Sequence, residues 1–291
     1  MLIDAHVHIA SNNIFSRQLW EISSEEWKRR WIRKIFEEYK KRKIFILRDG
    51  GDGISVSQMA REVAKEEGII YKSPIFAFHK KGHYGSFLGQ SLDDIQSFKD
   101  KSRELMSHMP DHLKIILTGI VNFNHYGDVG ETAFNFKELK YMVAFARFNN
   151  IPVMVHANGV EGVEMAVRAG VTTIEHGYFI SEGALYGMAE KGIIWVPTLS
   201  PLGNILSPDI DRFINQRDVI QKIYEQQLEN VLRAMALGVK VALGSDSGAY
   251  GVDHGSGLMD EIAHFSKIGL SQTDMEKCMK NGLEALALKS V

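Results

Sequence analysis

Short apolar runs alternate along the chain with longer segments whose apolar residues recur every three to four positions. The runs have strand length and the periodic segments have helix length. The strand-like runs are Leu2–Ile9, Ile44–Leu47, Tyr71–Phe78, Leu113–Gly119, two within Val153–Gly177, Ile193–Ser200 and Val239–Gly248. The helix-like segments are Ser23–Lys43, Val56–Glu67, Ser91–Met106, Phe136–Asn149, Val160–Ala169, Ser181–Lys191 and Phe213–Leu237, then Leu258–Lys267 and Gln272–Leu288. Trp27, Trp31, Ile35 and Tyr39 mark the buried face of the first helix, and Ser23 or Ser24 supplies its N-cap. Strands that alternate with helices predict a parallel sheet. Eight such units in 291 residues predict an α/β fold, a (β/α)8 TIM barrel forming one domain over residues 1–291.

Composition narrows the reading. Apolar residues make up 45% of the chain, enough for a substantial core. A net charge of −2 offers no attraction to nucleic acid or to an anionic membrane. No apolar run approaches the roughly 20 residues of a membrane span, and no secretory leader pattern opens the sequence. The single Cys278 rules out an intrachain disulfide, so a reducing, cytoplasmic setting is expected.

The chemistry gathers at strand ends. Val153–Gly177 (VMVHANGVEGVEMAVRAGVTTIEHG) reads as strand, helix, strand, with His156 and His176 closing the two strands. Histidines at the carboxyl ends of neighbouring parallel strands lie within reach of one metal site. His6 and His8 alternate on the first strand, so both face one side about 6.6 Å apart. Asp4 shares that side. Lys114 sits in an apolar strand, where a charged amine is costly unless paired or modified. A lysine neutralised by burial reacts with CO2 to give a carbamate, a carboxylate-like bridging ligand; snorkelling to water is the plain alternative. Asp246 lies in the Gly/Ser turn that ends the last strand. The glycine-rich RDGGDG turn lacks the phosphate-loop spacings and reads as a tight strand-to-helix loop.

The motifs DAHVH, LKIILTG, VHANG, TIEHG and GSDSG together resemble the amidohydrolase superfamily, metal-dependent hydrolases on a (β/α)8 barrel. TIEHG followed by WVPTL, GSDSG and the HGSGLMDEIAHFSKIGLS tail resembles its imidazolonepropionase and Xaa-Pro dipeptidase (prolidase-like) branch. The resemblance implies two divalent ions, with zinc favoured and manganese, iron or cobalt compatible with the ligands. His6, His8 and Asp246 would hold one ion, and His156 and His176 the other. Carboxylated Lys114 and a hydroxide would bridge them, and Asp246 would carry the proton to the leaving nitrogen. Two departures stand out. Members of the branch usually add a small β-sandwich from segments flanking the barrel, which is not expected here. The branch often shows His-Ala-His-Gly after strand five, whereas here Asn158 replaces the second histidine. Asn158 offers no cation to a substrate carboxylate, which weighs against dipeptidase specificity.

Rival readings meet specific residues. Mononuclear deaminases of the superfamily place an acid three residues after the strand-five histidine, where this chain has Gly159, with Glu161 at the wrong offset. A TatD-like nuclease would carry glutamate where Lys114 stands. A phosphotriesterase or lactonase would use the same binuclear site, and a barrel that had lost catalysis would be expected to lack a ligand. The expected substrate is a small polar molecule with an amide, cyclic amide or lactam bond. Arg48, His79, His83, His125, Tyr126, Tyr178 and His254 are the candidate lining residues, with Arg48 or a loop histidine available to a carboxylate. Neither nucleic acid nor membrane is an expected partner, and homo-oligomerisation is left open.

Overall fold

The structure, a computed structural model, describes residues 2–11 and 17–287. Its elements run β1 (Leu2–Val7), α1 (Arg17–Ile22), α2 (Glu25–Lys41), β2 (Ile44–Asp49), α3 (Val56–Glu66), β3 (Ile70–Lys72), β4 (Ala77–Lys80) and β5 (Gly89–Leu92). They continue with α4 (Ile95–Ser107), β6 (Leu113–Ile116), α5 (Phe136–Phe148), β7 (Val153–Ala157), α6 (Gly159–Ala169), β8 (Thr173–His176) and α7 (Glu182–Lys191). The last are β9 (Ile194–Val196), α8 (Ser200–Ile205), α9 (Arg217–Ala236), β10 (Lys240–Val241), α10 (Ser256–Lys267) and α11 (Gln272–Ala285). Leu288, the expected end of the last helix, lies outside the described residues.

Every strand pair is parallel, and the strands fall into two sheets, β1-β2-β3 and β10-β9-β8-β7-β6-β4-β5. The division comes from the third expected strand, Tyr71–Phe78, which breaks around Pro74. Proline has no N–H to give to a ladder, and Ile75 turns to a positive φ of 68°. The first half, β3, pairs with β2, while the second, β4, pairs with β6. The other seam is joined by backbone hydrogen bonds beyond the short β10. Ala5 N donates to Leu243 O (3.0 Å), Asp246 N to His6 O (2.8 Å) and His8 N to Ser247 O (2.8 Å). The result is a TIM-barrel-like α/β fold. Strands β6, β7 and β8 are buried at every position, as expected of parallel strands covered on both faces. A small core of Ile3, Ala5, Ile46, Ile194, Val196, Ala242, Ala285 and Leu286 draws both sheets and the end of α11 together.

Local signals set the helix starts. Ser24 Oγ accepts from Trp27 N (3.2 Å), as expected for the N-cap of α2. Asp94 and Ser97 form a capping box, so α4 begins at Ile95 rather than at Ser91, and Gly89–Leu92 is a strand. Strand β9 is shorter than the run Ile193–Ser200, because Ser200 already begins α8.

Glu261 on α10 accounts for that early turn. Wholly buried, it accepts from Leu199 N (3.0 Å), Ser200 N (2.7 Å) and Ser200 Oγ (2.8 Å). Glu261→Ala would leave these donors unpaired in a dry interior, at an expected loss of about 2–4 kcal/mol. A lower urea midpoint with an unchanged slope would register it. A loss below about 0.5 kcal/mol would mean that water replaces the carboxylate.

Candidate metal and active site

Strand β1 delivers His6 and His8 to one side, and the turn after β10 brings Asp246 against them. His6 Nε2 and His8 Nε2 stand 3.3 Å apart, and each is 3.5 Å from Asp246 Oδ1. These atoms form a tight group with the reach of a metal site. Burial holds His8 neutral, down to about 3, and drives His6 well below the usual range. Burial also raises the Asp246 carboxyl to about 7, with Lys114 pulling the other way. His6 Nδ1 donates to Glu175 Oε2 (2.7 Å), so its Nε2 carries the lone pair. The bare His6 Nε2, His8 Nε2 and a carboxyl oxygen therefore face one another. Asp4 is not in this group. Its carboxylate turns to Ser245 N (2.8 Å) and Ser245 Oγ (2.5 Å), and so fastens β1 to the segment after β10.

The other three expected ligands lie alongside. The His156 and His176 rings are 4.6 Å apart, and His176 is 5.0 Å from His6. His176 Nδ1 bonds Thr198 Oγ1 at 2.7 Å, leaving Nε2 for the site. His156 Nε2 lies 3.2 Å from Gly119 O. Lys114 is 1% exposed, which rules out snorkelling to water. Burial lowers its ammonium to about 8, against the attraction of Glu175. The strand ends bend sharply to aim these groups: His176, Thr198 and Asp246 have φ of 66°, 47° and 58°. Such left-handed geometry is strained for non-glycine residues and persists where the surroundings fix it. The His176 carbonyl is pinned by Trp195 Nε1 (3.0 Å) and Gln227 Nε2 (2.6 Å).

Glu175 is the residue that the sequence reading passed over. Its signal was a carboxylate inside an apolar strand, one position before His176. Fully buried, it binds His6, Arg48 Nη1 (3.1 Å) and the Thr173 hydroxyl. Arg48 is corrected accordingly. It does not line the cavity, but lies 0% exposed beneath the proposed ligands, held by Glu175 and by Thr173 Oγ1 (2.8 Å).

The metal-side groups open into a cavity of about 540 Å³. His8, Lys114, His156, His176, Asp246 and Tyr178 line it, within walls rich in Tyr, Phe, Leu and Ile. Tyr178 is the one expected lining residue found there; its ring stacks on His176 and its hydroxyl donates to Thr198 O (3.0 Å). The others lie off the cavity. His79 is buried and turned to Lys80 O (3.1 Å). His83 is half-buried and His125 exposed, both on outer loops. Tyr126 is exposed and bonds Gln226 Oε1 (2.9 Å). His254 is held between Ser11 O (2.9 Å) and Tyr39 Oη (3.0 Å). Asn158 braces the wall, accepting from Tyr178 N (3.1 Å).

The fold and the strand-end ligands can now be set beside known proteins. Residues 2–289 match the amidohydrolase family. The chain belongs to the amidohydrolase family. It is 30% identical over 198 residues to ochratoxinase of Aspergillus niger, covering 68% of this chain and 40% of that protein. The match thus spans about two fifths of the relative's length. The fold is similar to a Xaa-Pro dipeptidase crystallised with methionine in its active site, with TM-score 0.79 and 22% identity, covering 99% of this chain and 75% of that one. It is also similar to the crystal structure of A. niger ochratoxinase, with TM-score 0.78 and 19% identity, covering 98% and 70%.

Members of the family generally use divalent metal ions, and the residues of this amidohydrolase-family chain fit such an ion. His8 Nδ1 is a buried polar atom with no partner. Two neutral imidazoles and a carboxyl group crowd one point, and a divalent cation there would draw the imidazole lone pairs and the carboxylate together. The backbone leaves room for the His8 ring at Gly50, where a Cβ would sit 2.2 Å from His8 Cε1. Gly50→Ala is therefore expected to displace His8 and weaken zinc binding about tenfold or more, measured by calorimetric titration of the metal-free protein. Equal affinity in the variant would mean that His8 does not define the site.

Proposed function

We propose that the protein is a metal-dependent hydrolase that cleaves an amide or other C–N bond of a small molecule. The observation that carries this reading is the convergence of His6 Nε2, His8 Nε2 and Asp246 Oδ1 beside a cavity with largely apolar walls. The proposal takes the two seams as closed, which makes a complete (β/α)8 ring with the ligands at the mouth where such barrels carry chemistry. His6, His8 and Asp246 would hold one divalent ion, His156 and His176 a second, and carboxylated Lys114 would bridge them. The ions would supply Lewis acidity, lowering the pKa of water and polarising the scissile carbonyl.

This chain's own residues do the rest. Glu175 sets the His6 tautomer, and Thr198 holds the His176 ring in place. Asp246, whose proton affinity is raised by burial, takes a proton from water and returns it to the leaving nitrogen. Lys114 is close enough to neutrality to react with CO2. The aromatic walls exclude bulk water and favour an apolar substrate flank. The relatives named ochratoxinase and Xaa-Pro dipeptidase support the amide class.

Elemental analysis after expression with zinc and bicarbonate is expected to give about two ions per chain, and chelation to abolish hydrolysis of N-acyl amino acids. Asp246→Asn keeps an oxygen near the metal but not the base. It is expected to lower kcat at least about a hundredfold while metal remains bound. One ion per chain would remove the bridging role of Lys114 and favour deamination. Undiminished hydrolysis in Asp246→Asn would refute the proton shuttle.

A further inference from the structure

Arg48, the arginine expected to meet a substrate carboxylate, is buried beneath the proposed metal ligands. Another arginine occupies the place that Arg48 does not. Arg212 lies on the segment 206–216, between α8 and α9, and lines the same cavity as Asp246 and His8. Among the residues lining that cavity, only Arg212 and Lys114 carry cationic side chains. Lys114 is at the floor, among the strand-end ligands.

The setting of Arg212 is built by aromatic packing. Its guanidinium lies 4.5 Å from the Tyr250 ring centroid and 5.3 Å from that of Phe213. Phe213 in turn meets Tyr250 edge-on at 5.8 Å and Phe123 at 5.4 Å. Stacking of this kind holds the plane of a guanidinium and leaves its edge donors available. Asp209 and Asp211 flank Arg212 in sequence, yet Arg212 makes no ion pair or hydrogen bond with any described residue. A positioned arginine, with unpaired donors, thus borders a cavity that is otherwise apolar above its metal-side floor.

We propose that Arg212 anchors a carboxylate of the substrate, and that the substrate is an amide with an apolar or aromatic flank and a free carboxylate on the leaving amino acid. This rests on the hydrolase reading above and adds to it a specificity-determining residue. A planar fork of N–H donors matches a carboxylate in two parallel bonds. The walls of Tyr84, Phe87, Ile120 and Leu202 take the apolar flank, and the amide then lies between the arginine and the ligand group.

The test uses N-benzoyl-L-phenylalanine and its carboxamide with the zinc-loaded protein. Wild-type protein is expected to prefer the acid, and Arg212→Met to lower the acid-to-carboxamide ratio of kcat/KM about ten- to hundredfold, through KM. Arg212→Lys is expected to keep part of the preference, which a merely structural arginine would not require. Calorimetric binding of the acid to metal-free wild type and Arg212→Met gives a reading independent of turnover, with affinity expected to fall by the same factor. Binding that depends on Arg212 without any cleavage would support the anchor and count against the hydrolase reading. A ratio and an affinity within twofold of wild type in Arg212→Met would overturn the anchor. So would failure of the acid to bind wild-type protein at millimolar concentration.

Discussion

One buried carboxylate organises the centre of this molecule. Glu175 has no access to water, and an unpaired charge there would be prohibitive. It is satisfied by Arg48, Thr173 and His6 together. Arg48 comes from β2, Thr173 from Glu175's own strand β8, and His6 from β1. The three bonds thus join strands from both sheets across the interior. Such a pair is weak evidence for stability, since two apolar residues could fill the space as well. Its consequence lies in position and tautomer. With His6 Nδ1 committed to Glu175, Nε2 can only present a lone pair to the ligand group.

The same economy extends outward. Thr198 steadies the His176 ring as Glu175 steadies that of His6, and the two bonds are equal in length at 2.7 Å. Asn158 ties the end of β7 to the segment after β8, and Trp195 and Gln227 hold the carbonyl of the bent His176. The ligand side chains therefore sit on supported backbone. The walls of the cavity come instead mostly from loops and from α8, and loop residues such as Arg212 and Phe213 are placed by ring packing. Precision belongs to the floor, and selectivity to the walls.

That division explains what could be read from the sequence. Proposed ligands on strands must interrupt apolar runs, so His6, His8, His156, His176 and Asp246 stand out as polar letters at or near strand ends, and Lys114 as a charge near the start of one. Helices α2, α5, α6 and α7 were visible because periodicity and caps agree there. The break between β3 and β4 was not, because Tyr71–Phe78 reads as one apolar run and only Pro74 hints otherwise. Nor was the inward reach of Arg48. Alternation assigns a side chain to a face, but not to a height along the barrel axis, and Arg48 ends below the ligands rather than above them. The loop histidines failed for a related reason: loops such as those bearing His83 and His125 have no period that fixes their direction. Arg212 carried no signal at all, since its role depends on where Tyr250 and Phe213 meet.

Charge closes the account of Lys114. Arg48 and Glu175 cancel within the floor, so their pair adds little net field at the ligands. A cationic Lys114 would then leave one positive charge beside the place where divalent ions are proposed to bind, and would oppose them. Neutral Lys114 would remove the repulsion but bring no ligand oxygen. Carboxylation would do both, turning the side chain into an anion where the proposed cations need one. Burial lowers the ammonium to about 8, which makes the amine available for that reaction, and Glu175 limits the descent. In this reading, the carboxylate that orients His6 also favours the charged form of Lys114, with Arg48 and burial opposing it, so the two halves of the metal group meet the same buried pair.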